Sequence, residues 1–174
     1  ADWQICFQVY IDLYNIEHRA ERLERTLEVM CHQASMKEKD FWWWSDALYM
    51  GLPIFTKLYK VTGDQKLLDK QYECFVWTDS LLFDTEDFLY YRDAKYIYPK
   101  VKTACNGGKS FWARGDGWVL AGLAKVLQDL PKDSKYRPFY VKRFQQLAEG
   151  VARCQQEEGY WSRSMLCEDD APGY

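Results

Sequence analysis

A run of three tryptophans followed by a single carboxylate is the stretch of the sequence best suited to chemistry. Trp42, Trp43 and Trp44 precede Ser45 and Asp46, and an apolar run with helical spacing follows. Successive side chains of a helix diverge by about 100°, so three neighbouring rings cannot share one face, and at least one should point toward a loop, another helix or a ligand. A carboxylate beside such rings loses water, which favours its protonated form, so Asp46 is a candidate proton donor. The alternative is structural, because Ser45 and Asp46 are also good residues for a helix N-terminus.

A glycine-rich segment further along the chain has the features of an anion site. Gly115 and Gly117 are expected to turn the backbone sharply into a helix and to leave N–H groups free at its N-terminus. Arg114 adds a guanidinium that can bind a carboxylate through two hydrogen bonds, and Trp112 and Trp118 offer flat rings for a sugar. Together these residues predict a site for an anionic sugar.

Structural alternatives apply to the same region. Asp116 could be the cap of a helix whose glycine-rich start buries the two tryptophans in the core. The pair Arg92 and Asp93 lies in a predicted loop, where an Arg–Asp pair is more often a structural salt bridge than a site.

The elements that must position these residues are almost entirely helices. Apolar residues recur at three- and four-residue steps in six segments, at about 3–14, 20–31, 43–59, 67–77, 118–127 and 144–154. Pro53 predicts a kink inside the third segment, and Thr62-Gly63-Asp64 predicts a helix stop followed by a new N-cap. Residues 160–174 are predicted as a loop, with a short strand as an option.

The predicted helices form pairs that resemble one another. Leu13-Tyr14, Leu58-Tyr59 and Leu130-Pro131 each end one helix, and a short polar turn then leads into a more polar partner. Three such αα-hairpins predict an all-α fold in which stacked hairpins form a curved layer or a closed toroid. One connection breaks this rhythm, because more than thirty residues without helical spacing separate Trp77 from Trp112. Connections of that length are usually functional when they are ordered.

Composition fits one domain over residues 1–174 and argues against several function classes. The net charge of -3 comes from 23 basic and 26 acidic residues that are mixed along the chain, so no surface for nucleic acid is predicted. No apolar run is long enough for a membrane span. Aromatic residues make up 17% of the chain, which suits a sugar-stacking cleft as well as a helical core. The six cysteines are dispersed without a CxxC pair, so we expect mostly buried free thiols and no metal site.

Three motifs of the chain resemble glycoside hydrolase family 105, the unsaturated rhamnogalacturonyl and glucuronyl hydrolases related to family 88. The motifs are WWWSDALYM at 42–50, LYYRD at 89–93 and FWARGDGWV at 111–119, and the resemblance extends over nearly the whole chain. It implies an (α/α)6 toroid, of which three hairpins are about half. We therefore expect a central fragment that lacks N-terminal and C-terminal helices of the barrel.

The resemblance also implies a reaction. The substrate would be an oligosaccharide with a C4=C5 unsaturated uronic acid at its non-reducing end, and the enzyme would hydrate that vinyl ether without a metal or an organic cofactor. Asp46 matches the catalytic acid and base of the family, and Asp2 matches the second aspartate, for which Trp3 is the other aligned position. The candidate substrate-binding residues are Trp44, Arg92, Trp112, Arg114 and Trp118.

The chain departs from the family pattern at three positions. Arg92 stands where some members have a histidine, Ser45 replaces a frequent cysteine, and Asp116 replaces the usual asparagine of an RGNGW motif. A carboxylate at position 116 would repel a uronate unless it paired with Arg114 or capped the helix. The alternative function is therefore an inactive or incomplete relative that serves as a helical carbohydrate-binding or scaffold fragment. The sequence leaves open the oligomeric state and the compartment, cytoplasm or periplasm of a polysaccharide-degrading bacterium.

Overall fold

The computed structural model describes residues 1–103 and 105–167, and helices dominate them, as the all-α prediction requires. Two 3-10 turns, Asp2–Gln4 and Ala20–Arg22, precede the first two helices. The α-helices are α1 (Cys6–Ile16), α2 (Glu24–Ser35), α3 (Ala47–Met50), α4 (Leu52–Thr62), α5 (Gln65–Leu82), α6 (Ala113–Asp129) and α7 (Arg137–Arg153). The strands β1 (Phe83–Asp84) and β2 (Leu89–Tyr90) pair antiparallel, with Phe83 opposite Tyr90.

Three αα-hairpins arrange these helices in two layers. The hairpins are α1 with α2, α4 with α5 and α6 with α7, and each pair is in contact. In the first layer α4 contacts both α1 and α6, and in the second layer α5 contacts α2 and meets α7 through aromatic rings. The predicted repeat of hairpins is confirmed, and the single-turn helix α3 is the addition that lies against both α4 and α6.

The core forms where the two layers meet. Apolar side chains of α4 and α5 that are fully buried include Ile54, Phe55 and Phe75. Burial of one such side chain stabilises the fold by about 1.5–3 kcal/mol. Gln71 of α5 fixes the register of the hairpin, because its amide nitrogen donates to the carbonyl of Leu52 at 2.7 Å.

The predicted turn between α4 and α5 is confirmed in detail. Gly63 ends α4 with a φ of 71°, in the left-handed region that glycine enters at little cost. The carboxylate of Asp64 then accepts a hydrogen bond from the N–H of Lys66 at 3.0 Å and caps α5.

The prediction of one helix over 43–59 is wrong. Trp44 is extended and forms an isolated β-bridge with Asp93, so the helix begins only at Ala47. It breaks at Gly51, where a Cβ atom would lie 2.6 Å from Nε1 of the buried Trp42. Pro53 lies in the first turn of α4, where its missing N–H is no loss, and it therefore makes no kink.

Helix α1 differs from the predicted buried helix because only one of its faces is covered. Phe7 and Ile11 are buried, whereas Val9 and Leu13 are 56% and 42% exposed. A second apolar stripe on this helix faces away from the rest of the described residues. Its members, with the preceding turn, are Trp3, Ile5, Val9, Tyr10, Leu13 and Ile16.

The cysteines were predicted as mostly buried free thiols, and this is only partly correct. Cys74 and Cys154 are buried and free, and burial raises the pKa of Cys74 to about 12. Cys31 is exposed, and Cys105 and Cys167 form a disulfide that spans 62 residues. Sequence spacing could not reveal this pair, because only the fold brings residue 105 next to residue 167.

None of the helices among the described residues combines the length and the apolar character needed to cross a bilayer. The predicted loop at 160–174 is non-helical as far as Cys167, and Ser164 forms a β-bridge with Trp112. The remainder of that prediction lies outside the described residues.

Candidate active site

Backbone contacts bring the three motifs of the sequence together. The N–H of Ser45 donates to the carbonyl of Arg92 at 2.8 Å, which joins the tryptophan run to the long connection. On its other side Ser45 touches α6, because a Cβ atom on Gly115 would lie 2.9 Å from its Oγ. Asp46 is therefore one residue away from contacts to the segments that carry Arg92 and Arg114.

Two glycines of α6 allow this close approach. Gly115 faces Ser45, and two turns later Gly122 faces Leu48, whose carbonyl oxygen would lie 2.2 Å from an added Cβ. The prediction that Gly115 and Gly117 turn the chain into the helix is wrong. Helix α6 begins at Ala113, two residues before Gly115, and neither glycine has a positive φ. Gly115 allows α6 to lie close to Ser45, just before α3, whereas Gly117 is exposed and has open space around it.

A cationic pocket of about 830 Å³ lies beside these contacts. Four of its lining side chains are cations, Arg92, Lys102, Arg114 and Arg163, and no carboxylate from residues 1–103 or 105–167 lines it. The other residues that line it are Tyr96, Thr103, Cys105, Ser110, Trp112, Ser164 and Cys167. A concave surface that is lined by cations attracts anions strongly.

The indole ring of Trp112 organises two of these cations. The guanidinium carbon of Arg114 lies 4.4 Å from the centre of the ring, and that of Arg92 lies 5.9 Å from it. Arg92 also donates a hydrogen bond to the hydroxyl of Tyr96 at 3.0 Å. Cation–π contacts of this kind restrain the arginines without neutralising them, so their charges remain available to an anion.

The predicted salt bridge between Arg92 and Asp93 does not form. The buried carboxylate of Asp93 instead accepts a hydrogen bond from the N–H of Lys95 at 2.8 Å and closes a turn. Arg92 extends away from it into the cationic pocket.

The candidate acids lie outside the wall of this pocket. Asp46 is half-buried immediately before α3, and its carboxylate accepts a hydrogen bond from Oγ of Ser45 at 3.3 Å. Asp2 is exposed on the first 3-10 turn, which contacts α3. Trp44 is half-buried, with its ring centre 4.5 Å from that of the exposed Trp43. One tryptophan of the run therefore does point outward, as predicted, although the run is not helical.

Trp118 lies on a different surface from Trp112. Its ring is 4.5 Å from that of Tyr49, and it lines an apolar groove of about 420 Å³ together with Trp161. Arg114 lines both this groove and the cationic pocket. The two surfaces are thus neighbours that share one guanidinium.

The C-terminal end of α3 is held by side chains from two other helices. The amide nitrogen of Gln8 in α1 donates to the carbonyl of Tyr49 at 2.8 Å, and Lys125 of α6 donates to the amide oxygen of Gln8 at 2.7 Å. Lys125 also lies 4.8 Å from the centre of the Tyr49 ring. A cation near a helix C-terminus is favourable, and this chain of contacts fixes the turn that carries Asp46.

Asp116 is neither a cap nor a neighbour of the anion pocket. The N-cap position of α6 is Trp112, and the Asp116 carboxyl is fully buried, where one oxygen accepts a hydrogen bond from the N–H of Tyr90 at 2.7 Å. The predicted repulsion between position 116 and a bound uronate therefore loses its geometric basis.

One carboxylate cluster among the described residues has the geometry of a cation site. Oxygens of Asp84, Glu86 and Asp87 lie close together after β1, and Nζ of Lys109 binds all three at 2.9, 2.8 and 2.7 Å. Although desolvation opposes it, the hydrogen bonds with these carboxylates raise the pKa of Lys109. The ammonium group of Lys109 therefore occupies the position between the three carboxylates where a metal ion would have to bind.

Sequence reasoning did not identify Lys102, Arg163 and Tyr96 as lining residues. Lys102 and Tyr96 come from the long connection, and Arg163 comes from the segment after α7. Backbone pairing explains the position of Arg163, because the N–H of Ala113 donates to its carbonyl at 3.0 Å. Local spacing offered no signal for these three residues, because none of them lies in a helix or a strand.

Comparisons with known proteins agree with this architecture. The sequence profile of Glycosyl Hydrolase Family 88 matches residues 1–174. An unsaturated 3S-rhamnoglycuronyl hydrolase from Formosa agariphila is 37% identical over 128 residues, which are 72% of this chain and 34% of that protein.

Solved structures match the whole fold. A structure described as a polysaccharide lyase is 56% identical with a TM-score of 0.96, over 99% of this chain and 48% of that one. A glycosyl hydrolase family 88 protein from Bacteroides vulgatus is 49% identical with a TM-score of 0.96, over 99% of this chain and 49% of that one. A family 105 glycoside hydrolase from C. acetobutylicum, 22% identical with a TM-score of 0.73 over 91% and 48% of the two chains, shares the fold.

These matches confirm the predicted fold and its extent. The three hairpins are part of an (α/α)6 toroid, and the chain spans about half the length of the solved structures and a third of the curated hydrolase. With a family profile that covers every residue and a relative at 37% identity, the chain belongs to glycosyl hydrolase family 88.

Proposed function

We propose that this chain forms the substrate cleft of a hydrolase that removes a C4=C5 unsaturated uronic acid from the non-reducing end of an oligosaccharide. Membership of the family and the name of the Formosa agariphila relative support this reaction class. The observation that carries the proposal is the cationic pocket, which lies next to the turn that holds Asp46.

In the proposed reaction Asp46 protonates C4 of the unsaturated ring. The positive charge that develops at C5 and the ring oxygen is trapped by a water molecule, whose proton passes back to the Asp46 carboxylate. The product is a hemiketal at C5, which opens to a ketone and releases the rest of the oligosaccharide from C1. One carboxylate can therefore act as acid and then as base, in contrast to the paired carboxylates of ordinary glycosidases.

The pocket cations would hold the substrate during these steps. Arg114 and Arg92, both restrained by Trp112, can bind the uronate carboxylate through charge-assisted hydrogen bonds. Lys102 lines the same pocket as a further cation beside the two arginines on Trp112, so we propose that the preferred substrate carries a second anionic group, such as a sulfate on the neighbouring sugar.

The cationic pocket and the apolar groove beside it would bind different parts of the substrate. Arg114 lines both surfaces, so a uronate on Arg114 places the next sugar within reach of Trp118 or Trp161. Trp161 presents a ring whose N–H is already satisfied by the carbonyl of Val151 at 2.7 Å, as suits stacking against the apolar face of a sugar.

The test follows the ultraviolet absorbance of the unsaturated uronate, which disappears when the double bond is hydrated. We expect turnover by the purified chain and a loss of at least about 100-fold in Asp46→Asn, because an amide cannot donate a proton to C4. The control is Asp133→Asn on the exposed turn between α6 and α7, which should keep full activity. Equal rates for Asp46→Asn and the unsubstituted chain would refute the assignment of Asp46.

Two other outcomes separate the alternatives. Binding of unsaturated disaccharides without turnover would favour the carbohydrate-binding fragment over the enzyme. A rise of the same absorbance on saturated uronate polysaccharides would instead indicate a lyase, because β-elimination creates the double bond that hydration removes. The lyase alternative is worth testing because one 56% identical structure is described as a polysaccharide lyase.

The compartment is a further proposal. The disulfide between Cys105 and Cys167 supports the periplasm over the cytoplasm, because structural disulfides persist mainly in oxidising compartments.

A further inference from the structure

Asp116 is a buried acid with half of its hydrogen-bonding capacity unused. Its side chain is 0% exposed in the first turn of α6. One oxygen accepts from the N–H of Tyr90 at 2.7 Å, and the other oxygen has no partner among the described residues. An ionised carboxylate in that position would leave a charged oxygen bare inside the core, which is far more costly than a neutral one.

The groups that face Asp116 from the described elements supply no compensating charge. From β2 it faces Tyr90, and from the end of α7 it faces the Cys154 thiol, whose pKa burial raises to about 11. The hydroxyl of Tyr90 donates to Asp79 of α5, and the guanidinium of Arg143 in α7 is paired with the same Asp79 at 2.7 Å. On the side of α3, the residue next to Asp116 in the chain, Gly115, packs against the uncharged Ser45.

Burial without a cation therefore decides the protonation state. Desolvation raises the pKa of Asp116 well above its usual value, and the single hydrogen bond from Tyr90 opposes this only in part. Both the geometry and the direction of this shift favour the neutral carboxylic acid over the carboxylate. Such a group accepts a hydrogen bond at one oxygen and carries a proton on the other, as an amide does with its oxygen and nitrogen.

We propose that Asp116 is a positioning residue that acts as a neutral, amide-like acceptor and fixes strand β2 against the start of α6. Arg92 follows Tyr90 by two residues, and Arg114 precedes Asp116 by two. The bond between Tyr90 and Asp116 therefore sets the distance between the two arginines that approach Trp112. The link to substrate binding rests on the proposed function, whereas the neutral state does not.

The first experiment compares thermal unfolding of the unsubstituted chain and Asp116→Asn from about pH 4 to about pH 8. The native state retains a proton on Asp116 that the unfolded chain releases above its ordinary pKa. The unsubstituted chain should therefore lose stability relative to Asp116→Asn as pH rises, by about tenfold in the folding equilibrium constant per pH unit. If the difference in stability between the two proteins stays constant over this pH range, the proposed neutral state of Asp116 is wrong.

Infrared spectroscopy gives a direct second readout that needs no substrate. A protonated carboxyl has a carbonyl stretch that an ionised one lacks, so the difference spectrum between the unsubstituted chain and Asp116→Asn at neutral pH should contain that band. Its absence would contradict the proposal. The difference spectrum cancels the contribution of Asp79, which is the same in both proteins.

The positioning role is tested by two substitutions at one residue. Asp116→Asn should keep the KM of the unsubstituted chain, because the amide oxygen still accepts from Tyr90. Asp116→Ala should raise KM several-fold, with a smaller change in kcat, because β2 and Arg92 are released. If Asp116→Asn raises KM as much as Asp116→Ala, the positioning role is wrong.

If neither substrate turnover nor binding is found in any of these proteins, the proposed function fails, while the pH and infrared tests still decide whether Asp116 is neutral.

Discussion

At the scale of single residues, the structure separates Asp46, the proposed proton donor, from the cations that are proposed to hold the anion. Asp46 is half-buried before α3 with Ser45 as its hydrogen-bond donor, whereas the cations line a pocket to which the described part of the chain adds no carboxylate. An acid that lay among four cations would be held in its ionised form and could not donate a proton. The observed separation is therefore consistent with Asp46 as an acid.

A prediction at this scale concerns the second anionic group of the substrate. Lys102→Gln removes one pocket cation that is not organised by Trp112. We expect KM to rise about tenfold for a doubly anionic disaccharide and little for a singly anionic one, since a hydrogen bond to a charged group contributes about 1.5–3 kcal/mol. Steady-state kinetics on a sulfated and an unsulfated unsaturated disaccharide measure the difference.

The control for this substitution is Lys132→Gln, on the exposed turn after α6. It should leave both KM values unchanged. Equal effects of Lys102→Gln on the two disaccharides would show that Lys102 does not contact a second anion. Added salt should reduce the preference for the sulfated substrate, because exposed charges are screened.

At the scale of elements, the position of Asp46 depends on the contact between α3 and α6. The contact needs glycine at residue 122, because the carbonyl of Leu48 occupies the place of a Cβ atom. It is reinforced at the opposite end of α3 by Gln8 and Lys125. A one-turn helix has little stability of its own, so these neighbours determine where it lies.

Gly122→Ala should therefore destabilise the chain and displace α3. The added methyl would lie 2.2 Å from the Leu48 carbonyl oxygen, and overpacking against backbone costs roughly 1–3 kcal/mol. Gly117→Ala is the matched control on the same helix, because nothing lies within 4 Å of its Cβ position. It should stabilise the helix by about 0.5–1 kcal/mol. Chemical denaturation of both variants gives the comparison, and equal stabilities would contradict the packing argument.

At the scale of the whole molecule, a covalent link and an uncovered apolar surface are the notable features. The disulfide joins the long connection to the segment after α7, and both segments line the cationic pocket. The nitrogen of the Asn106 side chain donates to the carbonyl of Leu166 at 3.1 Å across the same junction. The exposed stripe of α1 and the turn before it carries six large apolar side chains. The solved relatives have about twice the length of this chain.

Removal of the disulfide should weaken both stability and the pocket. Cys105→Ser is expected to lower the free energy of unfolding by about 2–4 kcal/mol, since a 62-residue loop is no longer closed in the unfolded chain. A reductant should lower the melting temperature of the unsubstituted chain to the same value and leave the variant unchanged. Cys31→Ser, at an exposed free thiol, is the control and should have no effect. A melting temperature that does not respond to reductant would contradict the structural role of the disulfide.

The sequence by itself determined the local and repetitive features of this protein. Helical spacing identified the hairpins, and Gly63 with Asp64 identified a turn, because both signals depend on residues a few positions apart. Residue types and spacing singled out Asp46 and Arg114, and the motif resemblance to family 105 pointed to the related family 88 and added Arg92 as a substrate-binding candidate.

Only the tertiary structure decided how distant segments meet. It moved Asp116 from the anion site into the core, separated Trp118 from Trp112, and added Lys102 and Arg163 to the pocket. It also assigned the glycines of α6 to helix contact. The physical reason is that each of these outcomes depends on packing between residues far apart in the chain, about which local spacing carries no information.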